Sequence, residues 1–202
     1  MKKLLLLSTV MCMVSSVSFG MEVKPYVEGR FSENFLKSEY KDELGKLDFK
    51  DSGVMGGSLE VGVKLDQFRV GLEGYYNDKM KDNLNLFLIV PVELESKGLF
   101  LNGYYDFKLP DNLKKVKPYV GGGIGYSWLK ETIKLSEYGE SDVSIKDKDW
   151  GWNVGLGCGY ELNQNLDLTL GYRYENLGKI KDSDSKNEFT NHKVSLGLRY
   201  TF

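Results

Sequence analysis

The strongest constraint on this chain lies in its last eleven residues. From His192 to Phe202, Val194, Leu196, Leu198, Tyr200 and Phe202 alternate with Lys193, Ser195, Gly197, Arg199 and Thr201. Successive side chains of a β-strand point to opposite faces, so this segment has one apolar and one polar face. Left at a sheet edge, such a strand presents unpaired amides and invites aggregation. A barrel removes the edge by pairing its last strand with its first. The ending therefore predicts a closed β-barrel, and an apolar outer face suits one that spans a membrane.

Seven further segments alternate upstream. About 22–33 carries Val23, Val27 and Phe31 on one face and Lys24, Tyr26, Glu28 and Arg30 on the other. About 52–65 sends Met55, Leu59, Val61, Val63 and Leu65 outward, and Asp66-Gln67 reads as a tight turn into a strand from Phe68 to about Tyr76. The fourth strand ends clearly, with Leu99, Leu101, Tyr105 and Phe107 outward. Its start is ambiguous, because Leu86, Leu88, Val90, Val92 and Leu94 keep the opposite parity. The phase change near Ser96-Lys97-Gly98 reads as a bulge or a loop-to-strand transition. Strands are expected over about 117–128, 149–162 and 166–176, with the C-terminal segment as the eighth.

The connections alternate in length. Asp66-Gln67, 108–116 and Asn163–Asn165 are short, whereas about 34–51, 77–92, 129–148 and 177–187 are long and rich in Lys, Glu, Asp and Ser. Outer-membrane barrels show that asymmetry between periplasmic turns and extracellular loops. Tyr76, Trp128, Trp150, Trp152, Tyr174 and Tyr200 fall near strand ends on the apolar face, where interfacial aromatic girdles sit.

At the other end, Met1-Lys2-Lys3 is a basic start to an apolar run from Leu4 to Val14, and Ser18-Phe19-Gly20 places small residues where a signal peptidase reads. This predicts a cleavable signal peptide over 1–20 and one barrel domain over 21–202. Losing Lys2 and Lys3 leaves 25 basic residues against 29 acidic ones, a net charge of −4, which points away from nucleic acid. Cys158 is the single cysteine of that domain, so no internal disulfide is expected; an apolar filler role competes with a reactive thiol.

Lys117-Pro118-Tyr119-Val120-Gly121-Gly122-Gly123-Ile124-Gly125-Tyr126 resembles the central motif of small bacterial outer-membrane β-barrels, the family of opacity-type adhesins and the outer-membrane protein A membrane domain. Leu170-Gly171-Tyr172-Arg173-Tyr174 and Leu198-Arg199-Tyr200-Thr201-Phe202 resemble it too. The resemblance implies an all-β, eight-stranded antiparallel transmembrane barrel in the outer membrane. It implies a lipid and lipopolysaccharide environment and engagement of the barrel-assembly machinery through the strand ending at Phe202.

The inward face carries Lys24, Arg30, Lys64, Arg69, Arg173, Lys193 and Arg199 against Glu28, Glu60, Glu73, Asp106, Glu161, Asp167 and Glu175. Charges in a narrow barrel are costly unless paired, so this balance predicts a salt-bridged plug; an ion-selective pore would favour one sign. Gly121, Gly123, Gly125, Gly151, Gly155, Gly157 and Gly159 form an inward stripe. It suggests strong coiling with space for Arg and Tyr from the opposite wall, or alternatively a ligand cavity.

No catalytic, cofactor or metal site is expected. Gly121 to Gly125 lacks the Lys-Ser/Thr of a phosphate loop, and Asp182 to Glu188 has Lys186 and Asn187 where a calcium loop needs a ligand and a glycine. His192 is the sole histidine, and Ser195, three residues on, faces the other way in a strand. The leading expectation is a non-enzymatic, monomeric surface barrel, structural or adhesin-like, whose long loops contact host cells. Ile133, Leu135 and Tyr138 are candidate contacts. The alternatives are a small channel or binder for hydrophobic molecules, a lipid-modifying enzyme acting through His192, and a soluble lipocalin-like barrel with a polar exterior.

Overall fold

The computed structural model describes residues 22–42, 45–48, 53–85, 89–133, 143–182 and 185–202. The strands are β1 (Val23–Asp42), β2 (Gly45–Asp48), β3 (Gly53–Leu65), β4 (Phe68–Asn85), β5 (Ile89–Asp106), β6 (Val116–Ile133), β7 (Val143–Glu161), β8 (Leu166–Asp182) and β9 (Ser185–Thr201). β1 pairs antiparallel with both β2 and β3, each strand from β3 onward pairs antiparallel with the next, and β9 closes on β1 from Tyr26↔Thr201 to Lys41↔Lys186. β3 pairs with β1 from Val23 to Phe35, and β2 pairs with it from Glu39 to Asp42, one residue out of register. β2 and β3 are thus two lengths of one stave, and the barrel has eight.

Local chemistry explains the short turns. Asp66 has φ 53° in the Asp66-Gln67 hairpin, a left-handed conformation that Asp tolerates better than most residues. The Asn163 carboxamide accepts hydrogen bonds from the amides of Asn165 (3.0 Å) and Leu166 (2.9 Å), so the side chain builds the turn. A 3-10 turn, Asp111–Leu113, sits in the link from β5 to β6.

The strands run well past the alternating segments. Much of the four stretches expected as long loops is strand: β1 continues to Asp42, β4 to Asn85, β6 to Ile133 and β8 to Asp182. The reason is physical. Beyond the membrane both faces of a strand meet water, so backbone pairing persists while the hydrophobic alternation that reveals it disappears.

The irregularity expected at Ser96-Lys97-Gly98 lies on the opposite strand. β5 is continuous there, with Lys97 paired to Tyr76 and Gly98 to Tyr75, and the register shifts in β4 between Asn77 and Met80. The extra residue belongs to β4, whose charged run hid it. A second shift falls in β8 between Asn176 and Lys179. There Gly178 adopts φ +98°, and its amide donates to the Asn176 carboxamide (3.0 Å).

Candidate functional site

Closure puts odd-numbered residues of β4, β6 and β8 and even-numbered residues of β1, β3 and β5 into the lumen, and the lumen is polar. Glu28, Glu60, Glu73, Glu175, Arg69 and Arg199 are buried, whereas Phe31, Met55, Ile124, Leu156 and Trp150 are exposed, Phe31 at 78% and Trp150 at 67%. That distribution inverts a water-soluble protein and rules out the lipocalin-like alternative.

Three tiers fill the interior. At the end nearest the chain termini, Asp106 accepts from Arg69 Nε (2.9 Å) and pairs with Lys64 (2.9 Å), and Asp167 pairs with Arg199 (2.9 Å) and Lys117 (2.8 Å). The Nη atoms of Arg69 make no hydrogen bond; Nη1 lies 3.8 Å from Glu28 Oε2, and Cζ sits over aromatic faces, 4.4 Å from the ring centre of Tyr104 and 5.0 Å from that of Tyr119.

In the middle tier, Glu60 accepts from Tyr26 (2.6 Å), Tyr104 (2.6 Å), Asn102 (3.2 Å) and Arg30 (3.2 Å). Glu73 takes Arg173 (2.7 Å) and Asn102 (2.7 Å), and Glu175 takes Lys193 (2.8 Å) and Asn191 (2.8 Å). Each carboxylate meets at least two donors, which is what offsets the cost of removing it from water. Above this, Val54, Tyr75, Phe100, Leu129 and Leu177 form a small apolar cluster inside the barrel.

The expected salt-bridged plug is therefore present, with two changes in membership. Lys24 lies at the rim, 45% exposed, beside Glu22. Lys117 takes its place inside, between Asp167 and Glu161. Within this set, seven cations still face seven anions. The parity that places Tyr119 and Gly121 inward applies equally to Lys117, so the signal was available.

Most of the glycine stripe is covered by the neighbouring strand, and Gly159 is met from further round the barrel, by Arg199 of β9. Tyr104 is the register partner of Gly121, Phe100 of Gly125 and Tyr119 of Gly157, and a Cβ at each glycine would run into the partner's ring. The cavity left between Arg30, Tyr104, Tyr119, Asn153, Arg173 and Ser195 holds about 20 Å³. That is room for one water, not for a ligand.

The outer wall is an apolar belt between two aromatic rows. One holds Tyr126, Trp128, Trp150, Trp152, Tyr174 and His192, whose rings contact one another in edge-on and tilted pairs. The other holds Phe68, Tyr105, Phe107, Tyr200 and Phe202. From Trp150 to Tyr160 on β7 is ten residues, about 33 Å at roughly 3.3 Å per residue and about 25 Å along a barrel axis tilted by roughly 40°. That matches the apolar band of an outer-membrane barrel.

His192 belongs to the first row. Its Nδ1 lies 2.7 Å from Tyr172 Oη, while Ser195 faces inward, 3.5 Å from the Gly171 carbonyl. The two residues are not brought together. Cys158 is a free thiol on the outward face of β7. Residues 1–20, Leu135, Tyr138 and the side chains of Ile133 and of 182–188 lie outside what the structure describes.

A closed antiparallel barrel with a neutralised polar lumen, an apolar exterior and two aromatic girdles defines a transmembrane β-barrel. Residues 4–202 match the family model of the outer membrane protein beta-barrel domain, and the chain belongs to that family. It is a protein of the bacterial outer membrane.

Comparison with curated sequences finds no match. Among solved structures, Neisserial surface protein A superposes with TM-score 0.58 at 22% identity, covering 90% of this chain and 99% of its own. OprG of Pseudomonas aeruginosa does so with TM-score 0.54 at 16% identity over 90% and 97%. The protease OmpT of Escherichia coli reaches TM-score 0.50 at 7% identity over 89% and 97%. These likenesses concern the fold. That one of them is a protease shows that the fold leaves function open.

Proposed function

We propose that this chain is a non-enzymatic surface barrel whose interactions are carried where its strands rise beyond the upper aromatic row. The observation that carries this reading is the lumen: its seven cations and seven anions are paired inside the barrel, and the cavity among Arg30, Tyr104, Tyr119 and Arg173 has room for about one water. Conduction and lumenal ligand binding lose their physical basis. The separation of His192 from Ser195 removes the support for lipid modification through that pair. What extends outward is the far end of β1, β4, β6 and β8, with their mixed charge.

In this reading, 1–20 directs export, 21–202 is the barrel domain, and the protein is a monomer assembled through the strand ending at Phe202. Both ends of that domain are periplasmic, so the extended strand ends face outside and act as structural or adhesin-like contacts with host cells.

The experiment compares the refolded barrel with a version in which 131–145 is replaced by a short turn, leaving Leu129 and Lys148 in place. Binding to host-cell surfaces that disappears with the shortened tip is the expected result. Binding by neither version sinks the adhesin reading. A His192→Ala variant retains any surface binding; loss of a lipid-modifying activity in it overturns the non-enzymatic assignment.

A further inference from the structure

The outer wall carries a groove of about 670 Å³ lined by Gly57, Leu59, Gly74, Tyr76, Lys97 and Trp128. Its floor is bare because two outward positions are glycine. Packing does not demand glycine at either: a Cβ at Gly57 meets only the Arg30 carbonyl at 3.6 Å, and one at Gly74 only Leu99 Cδ2 at 3.6 Å. Those are ordinary contacts, in contrast to the inward stripe. The furrow is a feature of the surface that faces lipid.

The groove ends on a cationic row. Register places Tyr76, Lys97, Trp128 and Lys148 side by side on β4 to β7. On the membrane side of the two lysines the outward residues are Leu99 and Leu101, and Trp150 and Trp152. Lys97 and Lys148 are thus the first outward-facing charges met on β5 and β7 on leaving the belt, and both are exposed. Among the described residues neither has an ion-pair partner. One step higher, Glu95 faces Lys130 in register. The lysines stand two strands apart, about 10 Å at roughly 4.8 Å per strand.

We propose that this groove holds one phosphorylated glycolipid of the outer leaflet. An acyl chain lies in the furrow over Gly57 and Gly74, and phosphates sit on Lys97 and Lys148 with Trp128 between them. Charge complementarity selects an anionic lipid, and two separated cations favour a lipid bearing two phosphates over a glycerolipid bearing one. The site rests on the orientation proposed above and is independent of any host contact.

The test uses native mass spectrometry of the detergent-solubilised barrel after incubation with bisphosphorylated lipid A, the same lipid enzymatically dephosphorylated, or phosphatidylglycerol. The wild type is expected to retain one lipid A. A Lys97→Gln, Lys148→Gln double variant, altered only at exposed positions, is expected to retain about tenfold less, as does the wild type with the dephosphorylated lipid. A Gly57→Leu, Gly74→Leu variant retains less of both lipid A forms; if it fails to fold, the lysine variant decides. Equal retention by wild type and the lysine variant, or equal retention of phosphatidylglycerol and lipid A, overturns the proposal. Neither readout depends on cell binding.

Discussion

Arg173 Nη1 and Glu73 Oε2 lie 2.7 Å apart and tie β8 to β4, staves on opposite sides of an eight-stave barrel. The pair spans the lumen. Arg30 approaches the same carboxylate oxygen at 3.3 Å from a third stave. Closure of the barrel and closure of its lumen are therefore one arrangement: the hydrogen-bonded wall brings these charges together, and their pairing fills the space the wall encloses.

Removing Glu73 leaves two guanidiniums short of an acceptor. Glu73→Ala is expected to destabilise the barrel by about 3 kcal/mol, the scale for breaking a buried pair. Urea unfolding from lipid vesicles, followed by tryptophan fluorescence, measures it. The Glu73→Ala, Arg173→Ala double variant should lose less than the sum of its singles. Planar-bilayer recordings should show the wild type closed, with conductance rising in the double variant.

The Tyr104–Gly121 pair makes a steric prediction. A side chain at position 121 competes with the tyrosine ring that occupies the space above it. Gly121→Val is expected to cost about 1–3 kcal/mol through overpacking, and adding Tyr104→Ala should recover part of it. The fraction folded, read from gel mobility without heating, distinguishes the two.

Depth on the outer wall is testable with one charge at two heights. Leu170 lies midway on β8 between Tyr174, the register partner of His192 in the upper aromatic row, and Leu166, the register partner of Tyr200 in the lower row, whereas Phe107 lies in the lower row itself. Leu170→Arg should destabilise by about 2–4 kcal/mol and Phe107→Arg by no more than about 1 kcal/mol. Equal costs in the same unfolding assay would contradict the membrane placement derived from the aromatic rows.

Gly178 tests the bulge in β8. Its φ of +98° is strained for any L side chain, and a Cβ would also press on Asp149. Gly178→Ala is expected to cost about 1–3 kcal/mol. Hydrogen exchange should show faster opening at Asn176 and Leu177, where the bulge delivers Leu177 into the apolar cluster, than at Leu168 on the same strand.

Much of this barrel was legible in its residues. The alternation of Val194 to Phe202 foretold a strand with one face in lipid, and the parity of Glu28, Arg30, Glu60 and Arg69 foretold a charged interior. Period-2 patterning reports faces wherever one side is apolar and the other polar, and inside the membrane belt that condition holds along every stave. It fails beyond the belt, where water bathes both faces. The upper halves of β4 and β8, and the bulge at Asn77, therefore left no readable trace.

Only the tertiary structure decided who meets whom. A list of inward charges does not say that Glu73 joins Arg173 across the lumen, that Arg69 rests on Tyr104, or that Tyr104 covers Gly121. Those facts depend on stave register and on the stagger with which the sheet closes, both set by long-range pairing such as β1 with β9. The Lys97–Trp128–Lys148 row has the same origin. Its members are scattered along the sequence, and they become neighbours because three staves bring them into register. The sequence determined which residues face lipid and which face the lumen, since that follows from local geometry. Closure decided their partners, since that is a property of the whole barrel.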